Sequence, residues 1–288
     1  WLVSKRPEQS RARIQHFINS GLVLVNYKTA KAKTPLKNGD NVQIWMPPPE
    51  PLIYLKPEKM DLKILFEDEH IIVINKQSGL IVHPAPGHKS GTLVNGLLFH
   101  CNDLPGINGK LRPGIVHRLD KDTSGCMVVA KSQEALVNLQ KQIKEKIASR
   151  EYIAVIHGAP NSEEGQIVGN IGRDRLNRLK YKVVEETSGR YACTYWKLKE
   201  RLGNYSLMSF KLDTGRTHQI RVHCAHINHP IVGDPLYGRC KKLPCKLEGQ
   251  ALHAIKLGLI HPMNGKEMIF EAELPLDFRK LLNVLKVK

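Results

Sequence analysis

Residues 112–130 read Arg-Pro-Gly-Ile-Val-His-Arg-Leu-Asp-Lys-Asp-Thr-Ser-Gly-Cys-Met-Val-Val-Ala. Two apolar runs with strand character, 114–116 and 127–130, flank a polar loop. A loop hung between strands of a sheet holds a carboxylate rigidly at a cleft. Asp120, with Arg118 and Lys121 beside it, is therefore a candidate for a permanently ionised group able to attack an electrophilic carbon. The same residue types also make an ordinary solvated turn. Outward from this block, residues 71–74, 152–156 and 207–212 are strand-like. Ser132 is placed to cap a helix carrying Leu136, Leu139, Ile143 and Ile147 on one stripe. Asn264-Gly265 between extended runs signals a two-residue hairpin, and Phe278, Leu281, Leu282 and Leu285 stand at helical spacing near the end. Hairpins interspersed with helices, without regular strand–helix alternation, predict an α+β domain.

The 288 residues carry 44 Lys+Arg against 27 Asp+Glu, a net charge of +17 that points to a polyanionic partner, most often nucleic acid. With 41% hydrophobic residues the chain is globular rather than a basic disordered tail, and no apolar run approaches the roughly 18 residues of a membrane span. Six scattered cysteines in a chain of this size predict a reducing, cytoplasmic setting without disulfides. The chain opens on Trp1 rather than Met, so a trimmed amino terminus is expected. Pro47-Pro-Pro-Glu-Pro51 favours extended backbone and predicts a linker over 47–60, dividing a small domain at 1–46 from a large one at 61–288. In the small domain Ser10 is placed to cap a helix with Ile14, Phe17 and Ile18 on one face and Gly21 as its stop. Residues 22–26 and the alternating Val42, Ile44 and Met46 read as two strands. Eight basic residues against two acids give residues 1–46 a net +6.

Three further clusters could carry chemistry. In Asp213-Thr-Gly-Arg-Thr-His-Gln-Ile-Arg221-Val-His223, Thr217 is positioned to cap a helix whose Ile220, Cys224 and Ile227 face the core. Arg221 then projects from another face, either as a surface arginine or as a bidentate partner for a carboxylate brought from elsewhere. Arg150-Glu151-Tyr152 puts a tyrosine at a strand start, suited to stacking on a base, to proton transfer or to structural packing. Residues 173–182 hold five basic groups against Asp174, with Tyr181 interleaved, a pattern of solvated loops and of phosphate grips alike. His218, His223, His226 and His229 lack an HExxH-like pairing, and Cys240 and Cys245 have no second pair, so no metal site is expected.

Together these pieces resemble the RluA-type pseudouridine synthases, most closely the RluD-like enzymes of large-subunit ribosomal RNA. His117-Arg-Leu-Asp-Lys-Asp-Thr-Ser-Gly125 is similar to the family signature around its catalytic aspartate, which falls on Asp120. Glu67–Lys76 with Gly79–Pro84 resembles the opening motif, Arg150-Glu-Tyr152 the segment that supplies an active-site tyrosine, and the 213–223 block the one whose second arginine, here Arg221, pairs with the aspartate. Ala251-Leu252-His-Ala254 resembles the closing motif, with Leu252 lining the base pocket. Ser10–Gln15, Gly21–Asn26 and Gly39-Asp40 resemble an S4 RNA-binding domain, a small helix-plus-hairpin unit.

The resemblance implies a mixed, largely antiparallel central sheet with flanking helices. It also implies isomerisation of uridine without cofactor or metal: the N1–C1′ bond breaks, the base rotates, and it reattaches through C5. Asp120, Tyr152 and Arg221 are the expected catalytic set, and His117, Arg118, Arg173, Arg178, Lys180, Arg216, His218, Leu252, Arg11 and Arg13 the expected RNA contacts. The expected partner is large-subunit ribosomal RNA, with no membrane, no obligatory protein partner and a monomeric state. A transfer-RNA synthase of the same family and a non-catalytic RNA-binding or ribosome-assembly protein are the alternatives.

Overall fold

Ile71-Ile-Val-Ile74 is apolar at every position because it is buried on both faces: Ile72 and Ile74 join one core and Ile71 and Val73 the other. The neighbouring strand repeats the pattern, with Met127 and Val129 on one side and Cys126 and Val128 on the other. In the computed structural model, which describes residues 1–6, 11–45, 55–84, 88–101, 104–105, 113–238, 243 and 245–287, these strands lie in one large sheet. For residues 11–13 and 16 only the backbone is described.

The chain divides into two compact units, Trp1–Tyr54 and Leu55–Lys288. The first holds α1 (Leu2–Lys5), α2 (Arg11–Asn19), β1 (Val23–Val25), β2 (Lys28–Thr29) and β3 (Val42–Ile44), the strands in antiparallel order β2-β1-β3. Ile14 and Phe17 of α2 are buried, and Phe17 packs with Val23 and Ala30. β2 was not expected. Ser10 and Met46 lie outside the described residues.

The second unit runs β4 (Ile64–Glu67), β5 (Ile71–Lys76), α3 (Leu93–His100), β6 (Ser124–Ala130), α4 (Gln133–Lys144), β7 (Ser149–His157), β8 (Glu164–Arg173), β9 (Tyr181–Val184), β10 (Arg190–Leu202), β11 (Tyr205–Leu212), α5 (Gln219–His226), β12 (Leu252–Ile260), β13 (Glu267–Glu271) and α6 (Leu276–Lys286). The sheet order is β4-β5-β6-β12-β7-β11-β10-β8-β9, with β13 paired to β12. Among the described residues the β6–β12 pairing is parallel and every other pairing of this sheet antiparallel. This is the expected α+β class. Leu93 and Leu97 of α3 and Phe278, Leu281 and Leu285 of α6 pack into the same core as Ile72 and Ile74, while Ala135 and Leu139 of α4 join the other. Lys56 and Glu58 already bond to residue 95 of α3, so packing in this unit begins ahead of residue 61.

Three local expectations need correction. Residues 114–116 are not a strand: Gly114 takes φ 68, and a single bridge, Ile115 to Val129, forms. The stripe on α4 stops short of Ile147, because Lys146 at φ 62 reverses the chain and leaves Ile147 47% exposed while Ala148 turns inward. The β12–β13 hairpin closes through His261 N–H to Lys266 C=O at 2.7 Å, giving a four-residue loop. His261 Nδ1 caps that loop by accepting from the Met263 and Asn264 N–H groups, which a two-residue turn could not offer.

Candidate active site

The loop that ends in Gly125 is pinned from beneath. Lys76, 1% exposed, sets its Nζ within hydrogen-bond distance of three backbone carbonyls: Gln77 at 2.7 Å, Leu80 at 2.8 Å and Lys121 at 2.9 Å. Ser78 Oγ donates to the Asp122 carbonyl, and Gln250 Nε2 to Thr123 Oγ1. Gly125 takes φ 116 where β6 pairs with β12, and a Cβ there would collide with the Ala254 backbone. A side chain at that position would push apart the two strands that hold the Asp120 loop and Leu252 together.

Arg221 arrives from α5. Its helix does not start on a Thr217 cap: His218 occupies the N-cap in the left-handed region, φ 56, and the preceding turn is organised by Gln219. Gln219 Oε1 accepts from Arg216 N–H and Thr214 Oγ1, and its amide donates to the Cys193 carbonyl and Thr194 Oγ1. Arg221 is 4% exposed, not a surface residue. It donates through Nε (2.7 Å) and Nη2 (2.9 Å) to Asp234, whose side chain is fully buried, and through Nη1 to Asp120 Oδ2 at 3.0 Å. Burial works against its charge, yet Asp234 and Asp120 hold its pKa above the ordinary value. Asp234 Oδ1 also accepts from the Leu236 and Tyr237 N–H groups. The Tyr237 ring lies 5.2 Å from the Arg221 guanidinium carbon. The charge that faces Asp120 from across the fold is thus Arg221, while Arg118 lies within 3.3 Å of His83 and Lys121 is exposed.

The oxygen of Asp120 that Arg221 leaves unengaged, Oδ1, is 4.0 Å from His218 Nε2, while His218 Nδ1 bonds the Tyr237 hydroxyl at 2.9 Å. Burial lowers the His218 pKa, although Asp120 pulls the other way, so the ring is neutral at neutral pH. His117 is pushed down to about 3 by burial and Arg150, and its Nε2 accepts the Val128 N–H. It is therefore a neutral anchor of the loop on β6 rather than a cation. Burial raises the pKa of Tyr152, which is 5% exposed.

A cleft of about 570 Å³ gathers Asp120, Tyr152, Arg221, His117, Arg118, Arg216, His218 and Leu252. Lys144, Lys146 and Arg150 also line it. Arg173, Arg178 and Lys180 do not; Arg173 ends β8 and the other two sit on the β8–β9 loop, joined to the site through Tyr181 N–H donating to the Tyr237 hydroxyl. The side chains of Arg11 and Arg13 lie outside the described residues. The histidines after residue 217 do not converge: His223 bonds Thr194, His229 the His157 carbonyl, and His226 is exposed. Among the described residues a metal-like grouping exists elsewhere, at Glu67, His100 and Cys101, but its carboxylate already takes Lys131 at 2.6 Å.

The family model for RNA pseudouridylate synthase matches residues 70–226, and that for the S4 domain residues 1–42. The chain is 49% identical to an uncharacterised RNA pseudouridine synthase of Synechocystis over 99% of its own length and 88% of the relative's. The chain belongs to the RNA pseudouridylate synthase family. The synthase is also 43% identical to the ribosomal large subunit pseudouridine synthase D of Zymomonas mobilis, covering 96% of this chain and 90% of that one. Among solved structures it resembles human RNA pseudouridylate synthase domain containing 4, with a TM-score of 0.62 and 25% identity over 78% of this chain and 93% of that one. In the synthase, no helix among the described residues is long and apolar enough to cross a membrane. Its described cysteines are free thiols.

Sequence reasoning missed three members of the site. Asp234 and Tyr237 follow the His-rich stretch without any motif of their own, and Lys76 lies in a quoted motif but reads as a strand-end surface charge. A weak signal existed for Lys76, a lysine closing a strand otherwise buried on both faces.

Proposed function

We propose that this synthase isomerises specific uridines of large-subunit, 23S-type ribosomal RNA to pseudouridine, with the Asp120 carboxylate attacking the substrate. We assign RNA binding to the first unit, Trp1–Tyr54, and catalysis to the second, Leu55–Lys288, in a cytoplasmic monomer that needs no cofactor or obligatory protein partner. The observation that carries the reading is the Arg221 bridge. It engages one oxygen of Asp120 in a charge-assisted hydrogen bond at 3.0 Å and leaves Oδ1 for the chemistry at the cleft. The substrate class is supported by relatives named ribosomal large subunit pseudouridine synthase D, 42–44% identical over 96–98% of the chain, and by the S4 match.

A stacked uridine must leave the RNA first, at a cost of a few kcal/mol. Phosphate contacts from Arg118, Lys144, Lys146 and Arg216 around the cleft, and from Arg173, Arg178 and Lys180 beside it, offset that cost. Leu252 offers an apolar wall to the extruded base. Tyr152 keeps its proton because burial raises its pKa, so it presents a ring to stack on and a hydroxyl that can donate. Asp120 then attacks the nucleotide and the N1–C1′ bond breaks, the freed base turns, and C5 bonds C1′ as the bond to the Asp120 carboxylate is released. The C5 proton departs and N1 gains one, so the composition of the nucleotide is unchanged.

The test is to map pseudouridine across all RNAs of a strain lacking the protein and of the complemented strain. Loss of one or a few pseudouridines in 23S-type RNA, restored on complementation, is expected. Losses confined to transfer RNA would overturn the substrate, and an unchanged map would overturn the activity.

A further inference from the structure

The loop joining β8 to β9 exposes its apolar residues in a way the chemistry above does not use. Leu176 is 97% exposed and Leu179 71%, among Arg173, Arg175, Arg178, Lys180 and Lys182. The acid of the loop, Asp174, is spent on geometry: Oδ1 accepts the Leu176 N–H at 2.8 Å, which with other backbone bonds lowers the pKa of the carboxyl. Asn177 Oδ1 accepts the Leu179 N–H at 3.0 Å, and backbone bonds from Lys180 N–H to Asn177 and from Asp174 N–H to Lys180 close the loop. Both leucines are thus presented by a backbone already bonded into shape, so little ordering is needed on binding. At its base the loop meets the candidate site. The Arg173 guanidinium lies 5.6 Å from the Tyr181 ring centroid, that ring meets His218 edge-on at 5.6 Å, and His218 is 4.0 Å from Asp120.

Resting on the reading of this protein as an RNA-modifying synthase, we propose that the loop is a wedge whose Leu176 and Leu179 enter the RNA stack beside the target uridine. Over residues 173–182, five cations against one acid commit the occupant to RNA rather than to an apolar protein surface. Apolar side chains inserted between base steps unstack nucleic acid and are held there by burial against the bases. The reach is short: Leu176 is five residues from Tyr181, at most about 17 Å of extended chain.

The experiment uses full-length protein and two RNAs, an in vitro transcript of 23S-type ribosomal RNA and an unstructured oligonucleotide of about twenty nucleotides carrying the same target uridine, unmodified. Leu176→Ser/Leu179→Ser should cut kcat/KM tenfold or more on the folded transcript and less than threefold on the oligonucleotide, while Leu176→Met/Leu179→Met should retain most activity on both. In a second arm, 2-aminopurine stacked next to a uridine in a duplex hairpin should brighten when wild-type protein binds and fail to brighten with the serine variant. Equal losses on both RNAs, or no loss on the folded one, would overturn the wedge, as would unchanged 2-aminopurine brightening. Wild-type inactivity on the transcript would instead overturn the ribosomal substrate, and the fluorescence arm, which needs no turnover, would still decide the wedge.

Discussion

Arg221→Met removes two hydrogen bonds to Asp234, at 2.7 and 2.9 Å, and one to Asp120, at 3.0 Å. The Asp234 carboxylate is fully buried and would keep the Leu236 and Tyr237 N–H donors but lose its counter-charge. Breaking a buried ion pair costs about 3–5 kcal/mol, and the surviving donors set the expectation near the lower end, ~3 kcal/mol. In a domain of this size that lowers Tm by roughly 6–12 °C. The bond to Asp120 is separate. A hydrogen bond to a charged group is worth about 1.5–3 kcal/mol, so turnover measured well below both melting temperatures should fall about 10- to 150-fold. Arg216→Met is the control, because the Arg216 side chain makes one hydrogen bond, Nε to the Tyr191 carbonyl, and the residue is only half-buried. Calorimetry and single-turnover pseudouridine formation on the same preparations supply both numbers. Equal, mild effects of the two substitutions would refute the claim that Arg221 supports Asp120.

Lys76→Met should leave three carbonyls without their donor and lower turnover more than RNA affinity, since one of those carbonyls belongs to Lys121 beside Asp120. Burial pushes Lys76 down to about 7 against the pull of Asp122 and Asp120. The unfolded chain therefore binds a proton that the folded one lacks between pH 7 and about 10.5, and urea unfolding should show wild-type stability rising relative to Lys76→Met across that window. Buried His223 and His253, each pushed down to about 4 mainly by burial, act at the other end. The unfolded state takes up protons on both between pH 6.5 and 4, so stability should fall on acidification by up to roughly 3 kcal/mol per pH unit, and a flat profile there in denaturant titrations would contradict their neutrality. Deleting residues 1–54 should make the log–log salt dependence of RNA affinity shallower by about two to three, while the remaining unit, shown folded by circular dichroism, still binds. An unchanged slope would remove the RNA-binding role of the first unit.

The sequence motifs were local, and what they made legible was local too. Ile71–Ile74 and Met127–Ala130 announced strands because each is apolar throughout, and Ser132 announced α4, whose Ala135 N–H it caps at 3.2 Å. β10, thirteen residues long, was not read, because Arg190–Leu202 intersperses charged residues with apolar ones and carries a register shift near Leu198 that breaks its alternation. Asp120, Tyr152 and Arg221 stand out in their local motifs, and the resemblance assigns their roles, but their surroundings come from long-range packing. Lys76 meets the Asp120 loop from 45 positions away, and Asp234 is reached only once α5 has turned Arg221 inward. The inward turn itself depends on left-handed His218 and on the buried Gln219 amide, neither of which a cap rule applied to Thr217 could foresee.

The most direct test of the account is single-turnover pseudouridine formation by Asp120→Asn on 23S-type ribosomal RNA, with protein freed of deamidated material and RNA affinity measured in parallel. Asp122→Asn serves as the comparison, since Asp122 is half-buried beside Gly249 and does not line the cleft. An amide cannot serve as the attacking carboxylate, so the account predicts no product above background from Asp120→Asn, near-normal RNA binding, and product from Asp122→Asn. Turnover by Asp120→Asn close to that of the wild type would contradict it.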